Sequence, residues 1–125
     1  MKILLVGAAA LMLASVVAPA CSAAGANWLI GTWRYTGRGY VDREGHDWCA
    51  PTTEVIFTAT AKTTINAATA TTPAARGTTP VYYLATPKKV YVSATGAFGS
   101  GESWDRLGPN EMEDSTVGHC IFDRK

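Results

Sequence analysis

Beyond its first two dozen residues, this 125-residue chain has no long apolar run, no Asn-x-Ser/Thr acceptor and no basic stripe, and the whole chain holds only two histidines and three cysteines. Each shortage closes a route. A permanent transmembrane helix needs ~20 consecutive apolar residues, and no later segment comes near that length. A nucleic-acid partner wants clustered Lys and Arg. Here, once Lys2 leaves with the leader described below, ten basic residues face ten acidic ones. No run of like charge, internal repeat or apolar spacing at helical period is present, so helix is expected to amount to one short turn at most.

Catalytic sets are equally thin. Ser100 and Ser103 lie in "GAFGSGES", but this is not the Gly-x-Ser-x-Gly elbow, and no helical pattern follows to expose such a serine. Gly96, Gly99 and Gly101 precede no helix and so form no phosphate cradle. Glu111, Glu113 and Asp114 read as a solvated face near a turn. The chain is therefore read as a non-enzyme with no catalytic residue, no cofactor and no metal.

What the sequence does contain begins with an export leader. Lys2 is followed by an uncharged apolar stretch from Ile3 to Ala18, then by small residues. The leader is read as residues 1–24, its end falling between 20 and 24, with a single domain over 25–125. Cleavage after Ala18-Pro19-Ala20 leaves Cys21 first, where "VAPAC" resembles a lipobox and Cys21 receives a lipid. Cleavage after Ala23 or Ala24 discards that cysteine instead. Either outcome leaves Cys49 and Cys120 as a pair, and export favours a disulfide between them over thiolate ligation. "HDWC…HC" does offer two histidines beside two cysteines. If residues 119 and 120 lie in one strand, however, they point to opposite faces, which separates His119 from Cys120 as co-ligands. A lesser alternative is a surface metal site of His46, Asp47 and His119.

Short runs rich in Val, Ile, Thr, Tyr, Phe and Trp recur between Gly, Pro and Asn, the pattern of an all-β chain. "NWLIGTWRYT", "TEVIFTATA", "PVYYLAT", "KVYVSAT", "ESWDRL", "EMEDST" and "GHCIFDR" are the candidate strands. They make an antiparallel meander barrel or sandwich of about seven to eight strands with one disulfide. Residues 37–47 read as loop, with Tyr40 and Val41 their sole apolar pair. Residues 62–79, almost wholly Thr and Ala, read as a surface loop or an extension of the preceding strand. Tyr82 and Tyr83 must face opposite ways. Tyr82, Tyr91, Phe98 and Trp104 are candidate binding residues, since aromatics make good interface groups.

"NWLIGTWRYTG" resembles the Gly-x-Trp opening of the lipocalin-like (calycin) barrels, with Gly31 and Trp33 in the matching places. The resemblance implies an arginine from the last strand packed across the tryptophan, here Arg124, and a small barrel closed at one end. In so short a chain, with Trp, Phe and Tyr to place inside, the interior is expected to be filled. "VSATGAFGSGESW" is similar to a region of the periplasmic inhibitors of c-type lysozyme. There a serine and a lysine enter the enzyme's cleft. Ser93 matches the serine, whereas Asp105 and Arg106 stand where the lysine belongs. These features together predict an exported binding protein of the bacterial envelope, periplasmic, lipid-anchored at the outer membrane or secreted. The alternatives are an inhibitor of a hydrolase such as lysozyme or a protease, and a carrier of a small apolar ligand.

Overall fold

The computed structural model describes residues 24–98, 101–116 and 119–125; residues 1–23 of the leader, Cys21 among them, lie outside these. A short 3-10 helix, Ala24–Ala26, precedes nine strands: β1 Gly31–Tyr35, β2 Thr52–Phe57, β3 Ala61–Asn66, β4 Ala75–Pro80, β5 Tyr82–Ala85, β6 Lys89–Ser93, β7 Glu102–Gly108, β8 Glu111–Asp114 and β9 Cys120–Arg124. All pairings are antiparallel, in the order β4-β3-β2-β1-β9-β8-β7-β6-β5. The sheet curls into a nearly closed barrel. Its two terminal strands, β4 and β5, are consecutive in the chain and separated by Val81 alone. Next to that junction the Val81 amide donates to the Thr60 carbonyl at 2.9 Å, and the Tyr83 hydroxyl donates to the Thr58 carbonyl at 2.6 Å.

The strand count of nine corrects the expected seven to eight, and the difference lies in the Thr/Ala segment. "TEVIFTATA" is not one strand. It ends at Phe57, turns over residues 58–60 and returns as β3. The Thr58 hydroxyl builds that turn, accepting from the Thr60 and Ala61 amides at 3.3 and 3.0 Å. Much of 62–79 is therefore strand. β3 and β4 pair from Ala61↔Pro80 to Asn66↔Ala75, around a turn closed by the Thr69–Thr72 contact. Threonine's branched Cβ favours the extended backbone even where little apolar area is buried. All six residues of β4 are exposed.

Alternation along the strands fills the barrel. Trp33, Phe57, Tyr83, Val90, Trp104, Met112 and Phe122 are buried, together with Leu29 and Ala26 from the N-terminal segment. The rings form a continuous tilted series. Tyr83 meets Phe57 at 6.3 Å between centroids, Phe57 meets Trp104 at 5.4 Å, Trp104 meets Phe122 at 5.4 Å, and Phe122 meets Tyr35 at 5.5 Å. Edge-to-face pairs of this kind add roughly 0.5–1.5 kcal/mol each beyond area burial. One series thus ties β5, β2, β7, β9 and β1 together.

Trp33 closes one end. It lies opposite Arg124 in the β1–β9 ladder, and the guanidinium carbon sits 4.3 Å from its ring centroid. The Trp33 indole N–H donates to the Leu29 carbonyl at 2.7 Å. Arg124 in turn donates to the carbonyls of Trp28 at 2.6 Å and Ile30 at 3.1 Å, which ties down the chain leading into β1. Gly31 has φ +139°, and a Cβ there would stand 2.8 Å from the Arg124 Nη1. The glycine is required by both backbone and neighbour.

Candidate functional site

β9 carries Arg124 at one end of the barrel and Cys120 at the other, about 13 Å away along an extended strand. At that second end Cys120 is bonded to Cys49, with their Cα atoms 5.7 Å apart, so the expected disulfide is present. It joins the last strand to the long β1–β2 connection, residues 36–51. A loop closed over a separation of 71 residues stabilises the fold by about 4 kcal/mol in the chain-entropy model. Such a bond belongs to an oxidising compartment.

The connection folds on itself as a small hairpin. Val41 bridges Asp47, the Asp42 amide donates to the His46 carbonyl at 3.0 Å, and the Trp48 amide donates to the Tyr40 carbonyl at 3.1 Å. Asp42 Oδ1 accepts from the Glu44 and His46 amides. The hairpin is also braced against the barrel. The Tyr35 hydroxyl donates to Asp47 at 3.1 Å, and Asp47 Oδ1 accepts the Cys49 amide at 2.8 Å. Burial, together with that hydrogen bond and the Asp47 charge, pushes the Tyr35 phenol up to about 12.

This braced hairpin presents apolar surface to solvent. Tyr40, Val41 and Trp48 are 54, 51 and 49 % exposed. Tyr40 and Trp48 have ring centroids 6.5 Å apart, and the His46 ring meets Trp48 edge-on at 4.9 Å.

Trp48 also stands on the lip of a cavity of about 180 Å³ that opens into the barrel. Its walls combine the disulfide and the Trp104 and Phe122 rings with Thr52, Thr64, Lys62 and Asp114. Lys62 Nζ lies 2.8 Å from both Glu102 carboxylate oxygens and 5.8 Å from the Trp104 ring centroid. The Trp104 indole N–H donates to the same carboxylate. Glu102 is thus fully engaged. Asp114 is different: it accepts the Thr116 amide at 2.9 Å, and no cation lies within 4.0 Å of it among the described residues. Burial raises its pKa, and the Thr116 hydrogen bonds pull the other way. Asp114 therefore does not belong to the solvated face on which the sequence placed it. It follows Met112 at strand period, so its side chain turns inward with that residue.

The candidate binding residues divide. Tyr82 is 48 % exposed and Tyr83 buried, as the alternation required. Tyr82 pairs with Ser93 and Leu84 with Tyr91, which places these four on one outer face of β5 and β6. The Ser93 hydroxyl accepts the Thr95 and Gly96 amides at 3.1 and 3.0 Å, so it shapes the turn after β6. Phe98 is half-buried. Trp104 is no surface group, being 1 % exposed inside the barrel. Ser100 falls outside the described residues, whereas Ser103 is half-buried with its amide bonded to the Thr116 hydroxyl. His46, Asp47 and His119 are engaged separately: His46 with Trp48, Asp47 with Tyr35, and His119 Nδ1 with Glu113 at 2.6 Å. Among the described residues they form no metal-holding group. No described helix is long and apolar enough to cross a membrane.

Sequence reasoning missed Trp48, Lys62 and Asp114 as members of one site. The available clue was the Met112–Asp114 alternation, which puts an acid on the face of a core methionine. Compared with known protein families, curated proteins and solved structures, the chain matches none.

Proposed function

We propose that this chain is an exported, non-enzymatic β-barrel that binds a protein component of the bacterial envelope through its disulfide end. The observation that carries the reading is the Tyr40–Val41–Trp48 surface: apolar, about half exposed, and yet held by a covalent bond and by Asp47. Exposed aromatic groups on a stiff support lose little conformational freedom on binding, which is the economy of an interface hot spot. The aromatic core and the Trp33–Arg124 closure support reading the barrel as calycin-like. The leader accounts for export, with Cys21 the lipid acceptor if cleavage falls before it.

The apolar-ligand carrier is the weaker alternative, since a cavity walled by Lys62 and Asp114 is a poor solvent for an apolar molecule. The hydrolase-inhibitor reading draws support from the β3–β4 hairpin, whose fully exposed second strand has the form of an insertable wedge.

A photo-crosslinking residue at position 48, and separately at position 71 in the β3–β4 turn, tests these readings in the cell that makes the protein. One discrete adduct from position 48 but not 71 is the expected result. An adduct from 71 alone, with inhibition of lysozyme or casein hydrolysis by the purified protein, replaces it with the inhibitor. No adduct from either position overturns the binding surface.

A further inference from the structure

The cup behind Trp48 has a charge imbalance that the fold does not resolve. Lys62 pairs with Glu102 and also acts on Asp114, so two carboxylates share one ammonium and the recess of about 180 Å³ is left with one net negative charge. At roughly 30 Å³ per water, that volume holds about six waters. It is below the ~300–1,000 Å³ usual for sites that enclose a whole small ligand. It matches the end of one long side chain. A carboxylate here is complementary to an organic cation, because the acid supplies the ion pair and the Trp48 indole at the mouth attracts cations, the Trp104 ring already holding Lys62. The Thr52 and Thr64 side chains also line the recess and suit a group with several N–H donors.

We infer that this cup is a subsite for a single basic side chain of the protein partner, an arginine or lysine that passes Trp48 and meets Asp114. The inference rests on the reading that the disulfide end is the interface, and it names what the partner inserts there. Tyr40 and Val41 would then cover the apolar stem and backbone flanking the inserted residue. Arginine is favoured, since its planar guanidinium stacks on indole and pairs with a carboxylate through two N–H groups.

The test uses the full mature, oxidised protein and Nα-acetyl-arginine methylamide as probe. The ¹H–¹⁵N signal of the Trp104 indole reports the cup, because its N–H is bonded to Glu102. A saturable shift with half-saturation on the order of millimolar is expected for one side chain. The matching citrulline compound, equal in shape but uncharged, should bind at least tenfold more weakly. Asp114→Asn should lose arginine binding at least tenfold. Equal binding of citrulline, preference for Nα-acetyl-aspartate methylamide, or no shift with arginine overturns the subsite. The arginine–citrulline comparison needs no variant, so it stands even if Asp114→Asn fails to fold. Failure of the crosslinking experiment alongside a positive titration would mean a cation subsite without an envelope protein partner. The reverse pair of results would mean an interface without this subsite.

Discussion

Trp33 and Arg124 face each other across the β1–β9 ladder, with the guanidinium carbon 4.3 Å from the indole centroid. The same guanidinium holds two carbonyls of the segment leading into β1, so one side chain closes the barrel end and anchors the N-terminal approach. Cation–π contact contributes ~0.5–2 kcal/mol and hydrogen bonds from a charged donor ~1.5–3 kcal/mol, without strict additivity. Arg124→Met is therefore expected to cost about 2–4 kcal/mol, read as a lowered urea midpoint. Arg124→Lys should recover little of this, since an ammonium lacks the planar fork. Gly31→Ala should cost about 1–3 kcal/mol through its φ of +139° and its contact with Arg124.

Replacing both Cys49 and Cys120 by alanine removes about 4 kcal/mol of stabilisation, a large share of the ~5–15 kcal/mol typical of a domain. The effect should also be local. Amides of the 36–51 hairpin are expected to lose hydrogen-exchange protection first, because the staple is one of the hairpin's fastenings to the barrel. Unchanged protection there would assign the bracing to Tyr35 and Asp47 alone.

Asp114 gives a pH signature whose sign is fixed. Its carboxyl ionises at higher pH in the fold than its ordinary value of 3.8, chiefly because burial disfavours the charge. Between those two values the native state holds more protons than the unfolded chain, so the contribution of this group falls as pH rises. Asp114→Asn keeps an acceptor for the Thr116 amide and removes the charge. Its melting temperature should exceed that of the parent at pH 7, and the two should converge by about pH 3, where both states of Asp114 are largely protonated. A difference that persists at pH 3 would assign the effect to packing.

Much of the fold was legible because the relevant physics is local. Tyr83, Val90 and Val92 alternate with outward residues on either side of a short turn, and the β5–β6 hairpin is where that pattern puts it. Gly108, Pro109 and Asn110 mark the β7–β8 turn in the same way. The β3–β4 hairpin was hidden because threonine and alanine carry almost no contrast between inside and outside. Its strands are specified by backbone preference and by pairing with β2, which is non-local information. The site was less legible still. Glu102 and Asp114 come from the adjacent strands β7 and β8, but Lys62 comes from β3, and only barrel closure brings it to them. Trp48 drew no reading of its own beside Cys49. The disulfide buries Cys49 and leaves its neighbour half in solvent, an outcome that period alone does not encode.

The single residue between β4 and β5 has a mechanical meaning. Both selvedges of the sheet belong to one uninterrupted thread, so the seam is sewn by the polypeptide itself wherever Pro80, Val81 and Tyr82 run. Nicking a hairpin elsewhere would sever one neighbour from the next and leave the tube rolled. A nick at this point would leave the two margins joined only by non-covalent ties such as the Tyr83 hydroxyl on the Thr58 carbonyl.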